Sequence, residues 1–334
     1  MDDLLLTYYG DDFTGSTDVM ESLTLGGVPT VLFLQPPSAA FIAEYFPKAR
    51  AIGLAGVSRT MTPAQMDQEL PASFRALAAL NAPVFHYKVC STFDSSPTIG
   101  SIGRAIDIGW DIFEPRFVPL IVGSPQLKRY IIFGNLFARV GEITYRIDRH
   151  PTMSKHPVTP MLESDLRLHL AQQTEHPLGL IDMLSLDCGV AEIDAALARR
   201  LADGAEIVLF DTVDGDHLRA VGRVLGQLAE SGSSFVVGSS GVENALCDYW
   251  QAAGTVNAPP SIAPPPPVDQ LLVMSGSASP VTAAQIEWAL AHGFQGLRID
   301  VPRLIDPAHC AAERGRILQA AQTILSSGAS LVIY

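Results

Sequence analysis

The sequence predicts a two-domain α/β protein, an N-terminal domain on a largely parallel sheet followed by a smaller C-terminal α/β domain. Three observations carry that reading. Short β-rich apolar runs alternate with stretches of helical length and pattern; a proline run, Pro264 to Pro267, interrupts the alternation; and the same rhythm resumes beyond it. With 334 residues and 48% apolar content, both domains have the material for a buried core.

Taken in order, the apolar run LLLTYY leads directly into the polar turn Gly10–Asp18. VPTVLFL and APVFHYK read as strands, with TPAQMDQELPASFRALAAL between them as a helix. Further on, EIDAALARRLADG reads as a helix, and GAEIVLFD and SSFVVGSS as strands. Residues 257–269, NAPPSIAPPPPVD, favour an extended polyproline course that neither helix nor central strand can use, and mark a linker between domains at 1–256 and 270–334. Past it come QLLVMSGSASP (strand, then glycine turn), the helix VTAAQIEWALAHG ending on Gly293, the strand GLRIDV, a helix over about 309–327, and the strand SLVIY. An apolar strand needs neighbours and a covering helix, so residues 270–334 are expected to be the first part of a larger domain.

Composition excludes several classes. Lys plus Arg total 22 against 35 Asp plus Glu, a formal charge of −13 that would repel a phosphate backbone, so no nucleic-acid partner is expected. The start lacks a basic n-region and no run of about 18 apolar residues occurs, so a soluble, cytoplasmic protein with no membrane partner is expected. Cys90, Cys188, Cys247 and Cys310 are scattered without a CxxC pair, which signals neither a zinc site nor a disulfide framework.

Five segments have the residue types of a binding or catalytic site. In Gly10-Asp11-Asp12-Phe13-Thr14-Gly15, at the carboxyl end of the first strand, Asp11 or Asp12 can accept a proton from a substrate hydroxyl, bind Mg²⁺ or hold sugar hydroxyls; the alternative is that one of them simply caps the following helix. Thr14 and Gly15 add a hydroxyl and backbone N–H groups at the helix start. After APVFHYK, Lys88 is suited to neutralise a carboxylate or phosphate, and Ser91, Thr92 and Asp94 to bond a polyhydroxy acid, against the plainer reading of a polar loop with a snorkelling lysine. Between Lys128 and His156, six basic residues (Lys128, Arg129, Arg139, Arg146, Arg149, Lys155) meet two acidic ones (Glu142, Asp148). Such a stretch in an acidic protein is a focused anion site or a solvated stripe, with Arg149 and His150 in its proline-stiffened end. No metal site is expected at His150 and His156, which have no third ligand at metal spacing. Finally, the turns Val237–Gly241 and Met274–Pro280 can each hold phosphate or carboxylate oxygens or be plain βα turns, and neither matches the GxxxxGK[ST] or GxGxxG fingerprint.

In combination these segments resemble the four-carbon acid sugar kinase family, also labelled a domain of unknown function and Hrp-dependent type III effector proteins. The resemblance covers the whole chain. GDDFTGSTD resembles the family's DD-[LF]-TG-x-x-D signature, YKVCSTFDSS stands at its YK-x-DST-LRG-type loop, and SGSASPVTAAQI resembles the opening of its nucleotide-binding domain. Cys90 stands where the family usually has an acid, and Asp94 in the region of its arginine.

The resemblance implies an N-terminal domain that binds a tetronate or related sugar acid, a C-terminal domain that binds ATP with Mg²⁺, and hydroxyl attack on the γ-phosphate. It implies Asp12, with Asp11 as second choice, as the base; Lys88 and Arg149 as the clamp on the acid group; and Gly276, Ser277 and Ser279 against the nucleotide. Family members continue into a GG-[DE]-T loop and further glycine-rich segments, so a C-terminally truncated ATP site with impaired transfer is expected. The alternatives are a sugar-acid-binding regulatory protein without transfer and, further off, an aldolase-like or dehydratase enzyme using Mg²⁺ at the paired aspartates. Homo-oligomerisation is left open by the sequence.

Overall fold

Side chains alternate between two apolar layers along the strands of the first unit. In the computed structural model, which describes residues 4–232, 234–256, 263–277 and 279–334, the chain divides into Met1–Pro260 and Ser261–Tyr334. Residues 257–262 of the expected linker, Ser233 of SSFVVGSS and Ala278 of SGSASP lie outside the described residues.

The first unit runs β1 (Leu6–Gly10), α1 (Phe13–Leu25), β2 (Thr30–Phe33), α2 (Ala39–Tyr45), β3 (Ala51–Ala55), α3 (Pro63–Ala78), β4 (Val84–Lys88), α4 (Ile102–Phe113) and β5 (Val118–Ile121). It continues β6 (Arg129–Ile132), β7 (Asn135–Val140), β8 (Ile143–Arg146), α5 (Leu166–Leu170), β9 (Leu178–Ile181), α6 (Met183–Asp187), α7 (Val190–Ala202), β10 (Ile207–Phe210), α8 (Gly215–Ser231), β11 (Ser234–Gly238) and α9 (Gly241–Ala252). Eight of these strands form one parallel sheet in the order β2-β3-β1-β4-β11-β5-β10-β9.

Both faces of that sheet are covered, which is why its strands read as near-continuous apolar runs. On β4, Phe85 and Tyr87 pack with α3 and α4, while Val84 belongs to the opposite layer under α1, α8 and α9. Phe74 of α3 is fully buried, with ring centroids 5.0 Å from Phe85 and 5.6 Å from Tyr9; truncating such a ring costs about 3–5 kcal/mol. α3 begins with a reciprocal capping box between Thr62 and Gln65 and carries Pro71 inside it without ending there. The strand order reverses at β1, with β3 on one side and β4 on the other, and ligands bind outside the carboxyl ends of strands at such a switch point.

Between β5 and β9 the chain inserts the antiparallel sheet β6-β7-β8. The sequence predicts only a cationic stretch here, because the strands are short and carry Arg139 and Arg146 at outward positions and Arg129 at the start of β6. Ile131, Leu136 and Ala138 are buried in the layer shared with α3 and α4. The turn joining β6 and β7 is Phe133-Gly134, both with positive φ (49° and 79°), the geometry that two-residue hairpins require. Asp211, just past β10, accepts the N–H groups of Phe133 at 2.6 Å, Gly134 at 2.9 Å and Met183 at 3.0 Å. One carboxylate thus ties the inserted hairpin to the end of the large sheet and to α6.

The second unit comprises β12 (Leu272–Met274), α10 (Pro280–Ala291), β13 (Gln295–Leu297), α11 (Val301–Ile305), α12 (Cys310–Ser326) and β14 (Leu331–Ile333). Its parallel sheet has the order β12-β14-β13, so the expected strand SLVIY is central. Leu297, Ala321, Leu331 and Ile333 form its buried core cluster, and Val332 is also buried. Leu272, Met274, Val281 and Trp288 are exposed, and α10 buries no residue. No helix among the described residues is long and apolar enough to cross a membrane.

Candidate active site

At the switch point, backbone bonds draw three strand ends together: Asp11 N–H donates to Lys88 O at 3.0 Å, Gly56 N–H to Gly10 O at 2.9 Å, and Arg59 N–H to Asp11 O at 3.0 Å. Arg59 follows β3, and its guanidinium bridges the paired aspartates. Nε and Nη2 hold Asp11 at 3.0 and 2.7 Å, while Nη1 holds Asp12 Oδ2 at 2.7 Å. Asp11 is 4% exposed, and burial pushes its carboxyl up to about 6 in spite of Arg59. Asp12 is the N-cap of α1, with Oδ1 accepting Gly15 N–H at 2.6 Å. Capping and a polar role therefore coincide in one side chain, because each carboxylate oxygen retains a second lone pair.

Lys88 is 2% exposed. Its Nζ lies 3.3 Å from Asp18 Oδ2 and donates to Val89 O at 3.1 Å. Ser240, at the start of α9, donates to the same Asp18 oxygen. A Cβ on Gly15 would stand 2.7 Å from Asp12 Oδ1 and 3.2 Å from Lys88 Nζ, so only glycine lets the first turn of α1 approach both groups. Thr14 beside it is exposed.

After β4 the chain turns through Cys90, Ser91 and Thr92, with Phe93 at φ 56°. Ser91 is half-buried. Thr92 Oγ1 lies 2.9 Å from Cys90 Sγ and donates to Asp94 Oδ1 at 2.5 Å. Thr159 Oγ1 donates to the other Asp94 oxygen at 3.4 Å. Thr92 and Asp94 are buried, so this network shapes the floor of the loop. His150 is buried, whereas Arg149, one residue earlier, is exposed in a short 3-10 turn. Arg129, on β6, is half-buried.

In the second unit, Gly276, Ser277 and Ser279 lie at the turn from β12 into α10 and, with Ile286 and Tyr334, line a hollow of about 640 Å³. Ser279 caps α10 through Thr282 N–H, and a Cβ at Gly276 would meet nothing within 4 Å. Hydroxyls and open backbone at a helix start suit phosphate oxygens. Among the described residues no three His, Cys, Asp or Glu side chains gather as a metal site. Mg²⁺ that arrives on phosphate oxygens needs no such cage.

A model of a sugar-binding N-terminal domain matches residues 6–246, and one of a nucleotide-binding C-terminal domain matches residues 272–334. The chain belongs to the four-carbon acid sugar kinase family.

Within this family, the chain is 50% identical over 331 residues to the 3-oxo-isoapionate kinase of Paraburkholderia graminis, covering 99% of this chain and 70% of that protein. It is 32% identical over 283 residues to the 3-oxo-tetronate kinase of Burkholderia multivorans, covering 84% of this chain and 63% of that protein. A solved Salmonella typhimurium LT2 structure described as a tRNA synthase matches with a TM-score of 0.77 at 26% identity, over 99% of this chain and 74% of its own. A Bordetella bronchiseptica domain of unknown function, solved as a domain-swapped dimer with bound citrate, matches in fold with a TM-score of 0.58 at 20% identity, over 98% of this chain and 74% of its own.

Sequence reasoning singled out Asp11, Asp12 and Lys88 and passed over Arg59, the residue that joins the aspartates. The available signal was positional: VSR follows an apolar strand just as DDF and KVC do.

Proposed function

We propose that the chain binds a 3-oxo sugar acid of four-carbon type at the carboxyl edge of its large sheet and phosphorylates one of its hydroxyls. The observation that carries this is the cluster of Asp11, Asp12, Arg59 and Lys88 at the switch point. The 50% identity to a 3-oxo-isoapionate kinase and the two domain matches support it.

Bound ATP would supply the phosphoryl group and Mg²⁺ would offset its charge, and Gly276, Ser277 and Ser279 are the residues that would hold the nucleotide. The remaining tasks are positioning and proton transfer, the main demands of phosphoryl transfer on a protein. Asp12 accepts the proton of the attacking hydroxyl, because it is the more exposed of the paired carboxylates and its orientation is fixed from two sides. Asp11 and Arg59 hold it there. Lys88, with the first turn of α1, offsets the negative charge of the acid. The acid clamp is assigned to Lys88 rather than Arg149, whose side chain stands in solvent.

Melting curves with threonate, erythronate and 3-oxo-tetronate test the reading. Saturating ligand raises Tm by a few degrees, on the order of 2–8 °C. No shift with any of the three removes the proposal.

A further inference from the structure

Side chains on β4 alternate between the two apolar layers, so Val84, His86 and Lys88 face the layer that α1 and α9 cover. Two of them are tied into it. His86 pairs with Glu243 of α9, and Lys88 Nζ stands 3.3 Å from Asp18 Oδ2 of α1, the oxygen that also accepts the Ser240 hydroxyl proton. Ser240 opens the turn of α9 that carries Glu243, so the inner pair holds in place the helix start on which this hydroxyl sits. The neighbouring hydroxyl, that of Ser239, is spent on Val122 O at 2.6 Å. Both hydroxyls of the turn Val237–Gly241 are thus used within the protein, and the carboxylate that Ser240 binds is the chain's own Asp18.

An ammonium has three donors and no acceptor. Val89 O takes one at 3.1 Å and Asp18 a second, so one N–H of Lys88 remains for a substrate oxygen, and the two fixed bonds set its direction. Charge matters as much as geometry here. Lys88 is 2% exposed, and a cation taken out of water is retained only beside an anion. Arg59 already engages Asp11 and Asp12, which leaves Asp18 as the carboxylate within salt-bridge distance of the ammonium among the described residues. Gly15, which both Lys88 Nζ and Asp12 Oδ1 approach, places this ammonium beside the proposed base.

We propose that Asp18, braced by Ser240, is the positioning residue for Lys88: it holds the ammonium by its charge, leaves it a single donor, and so sets how the acid group of the substrate binds. This rests on the reading of Lys88 as the acid clamp. The test is calorimetric binding of threonate and 3-oxo-tetronate to the chain, to Asp18→Asn, Asp18→Glu and Lys88→Met, and to the Asp18→Asn, Lys88→Met double variant. Asp18→Asn keeps the size and an oxygen for Ser240 but deletes the charge; Asp18→Glu keeps the charge and changes the shape. Asp18→Asn loses about 10-fold or more in affinity for both acids, and Asp18→Glu stays within about 3-fold of the original. In the Lys88→Met background, Asp18→Asn costs less than about 2-fold, because its effect passes through the ammonium. Asn binding as well as Glu, or better, means that Asp18 only packs, and overturns the proposal; so does an equal loss with and without Lys88, which means that Asp18 meets the ligand itself. If the chain binds the acids and Lys88→Met binds them unchanged, the clamp falls and the role of Asp18 with it, whereas no binding by the unsubstituted chain removes the sugar-acid reading as a whole. Should Lys88→Met bind too weakly to measure, the order of Asn and Glu decides. Should Asp18→Asn not fold, Ser240→Ala, which deletes only the brace, takes its place and loses about 3-fold or more in the chain that keeps Lys88.

Discussion

Arg59 Nη2 stands 2.7 Å from Asp11 Oδ1 while Nη1 of the same guanidinium stands 2.7 Å from Asp12 Oδ2, so one cation fixes the spacing of two adjacent carboxylates. A planar fork does this with little loss of freedom per bond, which a lysine at the same place would not. The arrangement couples a buried carboxylate to a reachable one.

Removing the fork should therefore be costly in two ways. Arg59→Met leaves Asp11 buried without its cation, and stability should fall by about 3–5 kcal/mol at neutral pH, as for other broken buried pairs. Adding Asp11→Asn should recover part of the loss. Urea denaturation of the single and double variants measures both.

The raised carboxyl of Asp11 gives stability a pH signature. Its folded value of about 6 exceeds the ordinary 3.8, so between those limits the folded state binds more protons. The group's favourable contribution is complete below about pH 4 and is lost as pH rises through about 6, an effect of about 2–3 kcal/mol. The difference in stability between the unsubstituted chain and Asp11→Asn, followed from pH 4 to 7, should show that slope.

Asp12→Asn should separate binding from chemistry. If Asp12 takes the proton, turnover at saturating Mg²⁺-ATP drops about 10²–10⁴-fold, while affinity for the sugar acid changes less than about threefold. Turnover within a factor of about three of the original would move the role to Asp11.

A second buried pair lies behind the site. His86 Nδ1 is 2.5 Å from Glu243 Oε1, with both side chains at 0% exposure, and Glu243 adds to the burial that pushes the Cys247 thiol up to about 12. His86→Phe strands Glu243 and should destabilise by about 3–5 kcal/mol, whereas His86→Phe with Glu243→Leu should restore most of that. Chemical denaturation of the three proteins gives the comparison.

Nucleotide affinity should be low in this 334-residue chain. The turn holding Gly276 and Ser277 is open, α10 buries no residue, and the buried apolar side chains of the second unit among the described residues are few. A loosely organised site loses the interactions it fails to hold in place. Calorimetry with Mg²⁺-ATP should give dissociation in the millimolar range, on the order of 10⁻³ M; micromolar affinity would refute the argument.

The parallel sheet was legible because both of its faces are buried, which leaves runs such as IVLF of β10 with no polar alternation to obscure them. Asp11 and Asp12 were legible because they follow such a run at once, and Lys88 because it ends one. Arg59 was hidden in SRTMTP, where the nearby Thr62 cap draws the eye to a helix start. Arg129 and Arg149 carry the same charge in the same stretch, and only the register of β6 against β7 distinguishes the half-buried one from the solvated one. The insert itself escaped because strands of four to six residues carrying Arg139 and Arg146 at outward positions do not differ in pattern from a basic loop.

The insert also bears on how this scaffold diversifies. It enters and leaves between two strands of one sheet and is fastened at its tip by Asp211, while the aspartates, Arg59 and Lys88 belong to strand ends on the far side of β11. The insert and the strand ends that carry the charged cluster are thus separate stretches of chain. Residues 129–146 can therefore change in length and sequence without disturbing the large sheet, as one changes the bit of a drill without touching the motor, provided that the anchoring carboxylate is kept.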